Sequence, residues 1–144
     1  MTQHLFFLMT VVNSNLSRTI QYPIRTVKRA KRAMRCSPFR GSLYMAMRQR
    51  SVSLQAIAGH SGVQQQYTRQ PLPELSAESA LLWLIQVGVL RREVDGQGLT
   101  DSFRLTPLGR QIVEQWQLQG GIWPAATFWD HLYNALNRWV RLPF

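Results

Sequence analysis

Apolar residues recur three and four positions apart in several stretches of this chain, and they alternate with polar ones in only one place. Ile24 to Arg35, IRTVKRAKRAMR, sets Val27, Ala30 and Met34 on one side of a predicted helix, with lysines and arginines over the remainder. Ser37-Pro38 then reads as a cap followed by a proline at the first helical position, opening a helix through Phe39, Leu43, Tyr44, Met45 and Met47 that ends near Arg50. Ser53 is expected to cap a short helix carrying Leu54, Ile57 and Ala58, closed by Gly59 or Gly62. QQQYTRQPLPEL is polar and proline-rich, hence a loop. Ser76 is expected to cap the next helix, whose Ala77, Ala80, Leu81, Leu84 and Ile85 form a wide apolar face closed by Gly88.

The alternating stretch follows. VLRREV and DSFRLT read as two strands around DGQGLT, a turn rich in Gly and Asp, and we expect two strands only, pairing antiparallel across roughly Val94 to Thr100. Thr106-Pro107 repeats the cap-and-proline device and starts a helix with Leu108, Ile112, Val113 and Trp116 on its buried stripe. QGGIWP breaks the chain, and a final helix carries Phe128, Leu132, Leu136 and Trp139 on one face, with Trp129, Tyr133 and Val140 alongside.

Helix, short helix, helix and hairpin, followed by a helix, is the order of a winged helix-turn-helix. The expected fold is therefore mainly α with a small β-hairpin, with a basic N-terminal helix and an amphipathic C-terminal helix added. Its parts are a flexible segment over 1–23, the basic helix over 24–36, the winged-helix domain over 37–118, and a linker with the C-terminal helix over 119–144. LIQVGVLRREVDGQGLTDSFRLTPLGRQIVEQW resembles many winged-helix regulators, in which a helix ends at Gly, a strand begins, and LTPLG restarts a helix. That resemblance covers about Ser37 to Gln117. RTVKRAKRAMRCSPF together with REVDGQGLTDSFRLTPLGRQ resembles, over nearly the whole chain after Met9, an uncharacterised family of small conserved cyanobacterial proteins. The likeness implies a cyanobacterial, cytoplasmic setting and supplies no biochemical activity.

Charge changes the picture more than composition does. The formal net charge is +10 over 144 residues, and 45% hydrophobic content is enough to build a core. Through residue 50 there are ten basic residues and no acid, whereas from Ser51 onward seven bases face seven acids, so the whole surplus sits in the first third. Such segregation points to a polyanionic partner. The single cysteine, Cys36, rules out an intrachain disulfide and reads as a small half-buried apolar residue. LFFLMTVV is too short to span a bilayer and lacks the basic flank of a signal peptide, and Met9 is the expected start.

Convergent catalytic chemistry is not legible. His4, His60 and His131 are isolated, Asp95 and Asp101 flank the hairpin where turn chemistry wants them, and Gly96 and Gly98 have no phosphate-loop context. We expect no catalytic residues, no metal and no cofactor. Binding remains, and the expected partner is nucleic acid, DNA held mainly through its backbone, in a transcription-related role. The basic helix would grip it with Arg25, Lys28, Arg29, Lys31, Arg32 and Arg35. Arg48 and Arg50, the loop residues Gln65, Gln66, Tyr67 and Arg69, and the wing residues Arg91, Arg92 and Arg104 would add contacts. The third core helix offers Ser76, Glu78, Ser79 and Gln86 but no base, which argues against sequence-specific reading of the major groove. The alternative is a winged helix used as a protein-interaction module, docking a partner through its apolar helices. Trp83 and Trp116 read as packing residues, and Phe128, Leu132, Leu136 and Trp139 as a partner-helix face that packs or pairs two subunits, ahead of resting on a membrane surface.

Overall fold

The computed structural model describes residues 20–121 and 125–140. The expected start at Met9, most of the 1–23 segment, the last three residues of the QGGIWP break and Arg141 lie outside those residues. Residues 20–23 run extended along the fold, where Tyr22 packs on the core and Ile20 O accepts a hydrogen bond from Gln111 Nε2 at 3.0 Å.

The chain order is α1 (Ile24–Cys36), α2 (Gly41–Gln49), β1 (Val52–Ser53), α3 (Leu54–Ile57), α4 (Gly59–Gln64), α5 (Glu74–Gln86), β2 (Leu90–Asp95), β3 (Gly98–Leu105), α6 (Pro107–Leu118) and α7 (Phe128–Ala135), which continues as a π-helical segment Leu136–Val140. The result is mainly helical with a small antiparallel sheet, compatible with the expected winged-helix order. One core gathers Met34, Leu43, Tyr44, Met47, Ile57, Leu81, Leu84, Phe103 and Ile112, so α1 contributes to that core through Ala30, Ala33 and Met34.

Three local signals act as expected. Ser53 Oγ accepts the Ala56 N–H at 3.2 Å. Thr106 Oγ1 accepts the Gly109 N–H at 3.1 Å with Pro107 at the first helical position. Gly88, at φ +88, closes α5 while Val89 N donates to Leu84 O and Gly88 N to Ile85 O, which satisfies the last carbonyls of the helix.

Four expectations are corrected. The sheet has three strands in the order β1-β3-β2, because Val52 pairs Phe103 and Ser53 pairs Ser102 before Ser53 turns to cap α3. The hairpin ladder extends beyond Val94–Thr100, from Leu90↔Leu105 to Asp95↔Gly98. Ser37 does not start α2: its hydroxyl donates to Met34 O at the end of α1 and meets Tyr44 OH at 2.8 Å, while Phe39 bridges Thr68 and delays the next helix to Gly41. Ser76 is not a cap either, since α5 begins two residues earlier, where extended Pro73 offers its carbonyl to Ala77 N–H at 2.9 Å.

Candidate nucleic-acid interface and its C-terminal cover

With its apolar stripe facing the core, α1 turns Arg32 and Arg35 toward α7. Arg35 Nε and Nη2 donate to the two carboxylate oxygens of Asp130, at 3.2 and 2.9 Å. Asp130 also completes a capping box with Thr127, whose hydroxyl accepts Asp130 N–H and whose own N–H donates to the carboxylate. The hydrogen bonds from Arg35 outweigh the opposing effect of burial and bring the Asp130 carboxyl down to about 2. The Arg32 guanidinium carbon lies 5.0 Å from the centroid of the Tyr133 ring, with Nε and Nη1 buried and without a hydrogen-bond acceptor, so the ring face meets that charge. Arg29 Nε is buried as well. Arg25 and Lys28 are exposed and Lys31 half-buried, and none of the three has an ion-pair partner among the described residues. Burial pushes the nearby Cys36 thiol up to about 11, with the Asp130 charge adding to the effect, so it is a thiol at neutral pH.

Most of the other expected contacts are engaged within the fold. Arg91 pairs Glu93 at 3.5 Å, and Arg104 reaches Glu93 at 3.8 Å and Gln49 O at 3.3 Å. Arg92 pairs Asp101 at 3.0 Å and Glu78 at 4.0 Å, and stacks 5.1 Å over the Phe103 ring. Arg48 spans Glu114 and Gln117, and Arg50 donates to Tyr67 OH at 3.3 Å, with Tyr67 buried rather than presented by its loop.

What remains of the loop set gathers at a groove of about 750 Å³ between the end of α1, the start of α2 and the 66–69 loop. Arg35, Gln66 and Arg69 line it together with His131 and Arg40, a residue that sequence reasoning counted only as charge. Gln65 is exposed beside it, and Gln66 holds a left-handed φ of +64. Arg40 and Arg69 have no acidic partner among the described residues; the antiparallel bridge Phe39↔Thr68 brings their two segments together. Among the described residues no group of three or more His, Cys, Asp or Glu could hold a metal ion.

The third core helix, α5, is met along one side by the C-terminal helix. Trp83 Nε1 donates to Asn134 Oδ1 at 2.9 Å, and Arg138 Nη2 donates to Ser79 Oγ at 2.6 Å, so the C-terminal helix lies along its outer side. The residues α5 still exposes there include Leu75 and Leu82, with Glu74 and the half-buried Glu78 as its charges.

The C-terminal helix is turned opposite to the usual amphipathic sense. Asp130, Asn134, Asn137 and Arg138 are its least exposed polar residues, while Phe128 is 73%, Trp129 60% and Trp139 72% exposed. Of the expected partner-helix face, Phe128, Leu132 and Trp139 point to solvent and Leu136 is half-buried.

Among the described residues no helix is long and apolar enough to cross a membrane. Residues 20–138 match the model of the family described as Npun_F0494-like. No curated protein and no solved structure matches the chain.

Proposed function

The chain belongs to the Npun_F0494-like family, and we infer that it is a non-enzymatic winged-helix protein of the cytoplasm that binds nucleic acid through the phosphate backbone, in a transcription-related role. One observation carries this reading. In a molecule where five arginines sit in intramolecular ion pairs, Arg25, Lys28 and Lys31 stay unpaired on one helix, and Arg40 and Arg69 stay unpaired at the groove. Cations left without internal partners are the ones free to displace counterions from a polyanion. The third helix, met on one side by the C-terminal helix and carrying Glu74 and Glu78 as its charged groups, argues against base reading in the major groove.

The test is salt dependence. Binding to a DNA duplex should weaken steeply as salt rises, and replacing Lys28 and Lys31 with Gln should flatten the slope of log K against log salt by about 0.9 for each phosphate no longer neutralised. An unchanged slope would remove α1 from the interface. Protein purified without added salt should carry nucleic acid, visible in the 260/280 nm absorbance ratio.

A second reading, a protein-interaction module, is favoured by the C-terminal helix, which holds its polar side inward and its aromatic side outward. A nucleic-acid-free protein with a flat salt response would make it the leading one.

A further inference from the structure

We propose that the outward ridge of the C-terminal helix and the basic flank of α1 form one platform for single-stranded nucleic acid, with bases on the ridge and phosphates over α1. The proposal rests on the polyanion reading above and names the form of nucleic acid it takes. Phe128, Trp129 and Trp139 are each more than half exposed, although large apolar side chains lose favourable transfer energy by standing in water. Their orientation is enforced. Arg35 on Asp130, Trp83 on Asn134 and Ser79 on Arg138 hold the polar side of the helix against α1 and α5, which leaves the rings no route inward. Phe128 and Trp129 meet edge to face at 5.6 Å, and Trp139 carries the Arg138 guanidinium 4.8 Å from its centroid while staying largely open to solvent.

The cations lie along one side of this ridge. Asp130 meets Arg35 and Tyr133 meets Arg32, so the C-terminal helix and α1 run antiparallel. Lys28 and Arg25, spaced four and three residues back from Arg32, continue that same face of α1 toward its N-terminus, both exposed and without an ion-pair partner among the described residues. The other side of the ridge is α5, whose charges are Glu74 and Glu78. A flat anionic bilayer would meet those carboxylates as well as the cations. A single strand lying over α1 avoids them and turns unpaired bases onto the rings. A duplex, with its bases stacked inside, cannot use the rings at all. Stacking on aromatic faces tolerates any base, so the platform should bind strands with little sequence preference.

The experiment compares labelled oligothymidylate, the same oligonucleotide as a duplex, and phosphatidylglycerol vesicles on the full chain. Wild type should prefer the single strand, with quenching of tryptophan fluorescence. Trp129→Ala and Trp139→Ala, at exposed positions, should keep the wild-type melting temperature, lose about fivefold or more in single-strand affinity for each ring that stacks, and leave duplex binding unchanged. Trp139→Phe should restore part of the loss. Lys28→Gln should weaken both nucleic acids. Alanine variants that bind the single strand like wild type would overturn the platform, while the polyanion reading would stand if Lys28→Gln still weakened binding. Vesicle binding without oligonucleotide binding would overturn both.

Discussion

Arg35 and Asp130, 95 residues apart in sequence, are joined by two hydrogen bonds that tie the last described helix to the first. The pair fixes which side of the C-terminal helix faces the protein, and thereby turns Phe128 and Trp129 outward.

Acid should loosen this contact. The Asp130 carboxyl is depressed from an ordinary 3.8 to about 2, chiefly by the Arg35 hydrogen bonds. A depressed carboxyl stabilises the folded state above its unfolded value, and that contribution is lost as pH falls from about 4 toward 2. Amide exchange over residues 128–140 should therefore rise in that window before the rest of the fold opens. Asp130→Asn should show faster exchange there already at pH 7, with the acid-dependent step gone. Uniform exchange across the chain in both proteins would show that the helix is held by something else.

How far the fold is legible in the sequence follows from how local each signal is. The bounds of α1, the Thr106-Pro107 start of α6 and the Gly88 close of α5 rest on residues within one turn of each other, and these the spacing alone delivers. The strand β1 does not: two residues are too few to show alternation, and Val52 is extended because Phe103 pairs with it. Ser37 had two roles open to it, and the hydroxyl of Tyr44 beside it decides for the end of α1. The candidate site is less legible for the same reason. Periodicity tells which residues share a face, as it does for Phe128 and Leu132, but not whether that face meets protein or water. The basic run from Arg18 to Arg50 contains no acid along the chain, yet Asp130 and Glu114 reach Arg35 and Arg48 in space.

Cys36 should be a slow nucleophile. With its thiol pushed up to about 11 by burial, the thiolate is a minor species at neutral pH. Alkylation by iodoacetamide at pH 8 should run well below the rate of free cysteine and reach it in denaturant. Native-state reaction as fast as free cysteine would show the thiol to be exposed and ionised.

Gly109 should resist substitution. An added Cβ would stand 2.5 Å from Val89 O and 2.9 Å from Leu105 Cδ2. Val89 O cannot retreat freely, because it accepts from Thr106 N at 2.9 Å and from Thr106 Oγ1 at 3.0 Å. Gly109→Ala should cost about 1–3 kcal/mol by overpacking, and each kcal/mol should lower the melting temperature by about 2–8 °C. Gly96→Ala, with open space at its Cβ, is the control and should change stability little. Equal melting temperatures for the two variants would show that α6 can shift off the sheet without loss.

The two classes of cation should separate experimentally. Arg104 reaches Glu93 at 3.8 Å and the Gln49 carbonyl at 3.3 Å, so it links the β2–β3 hairpin to the end of α2. Lys28 is exposed and has no ion-pair partner among the described residues. Arg104→Gln removes a half-buried charge from its partners and should lower stability by about 0.5–1.5 kcal/mol, the net worth of a typical intramolecular hydrogen bond. Nucleic-acid affinity should fall in that variant no more than the removal of a single positive charge requires. Lys28→Gln should leave the melting temperature within about 0.5 kcal/mol equivalent of wild type, as surface substitutions do, and should flatten the salt slope of binding. Thermal melts and salt titrations on the same two variants decide the matter. If Arg104→Gln flattens the slope and Lys28→Gln does not, the interface runs through the β2–β3 hairpin and α1 serves only to seat the C-terminal helix.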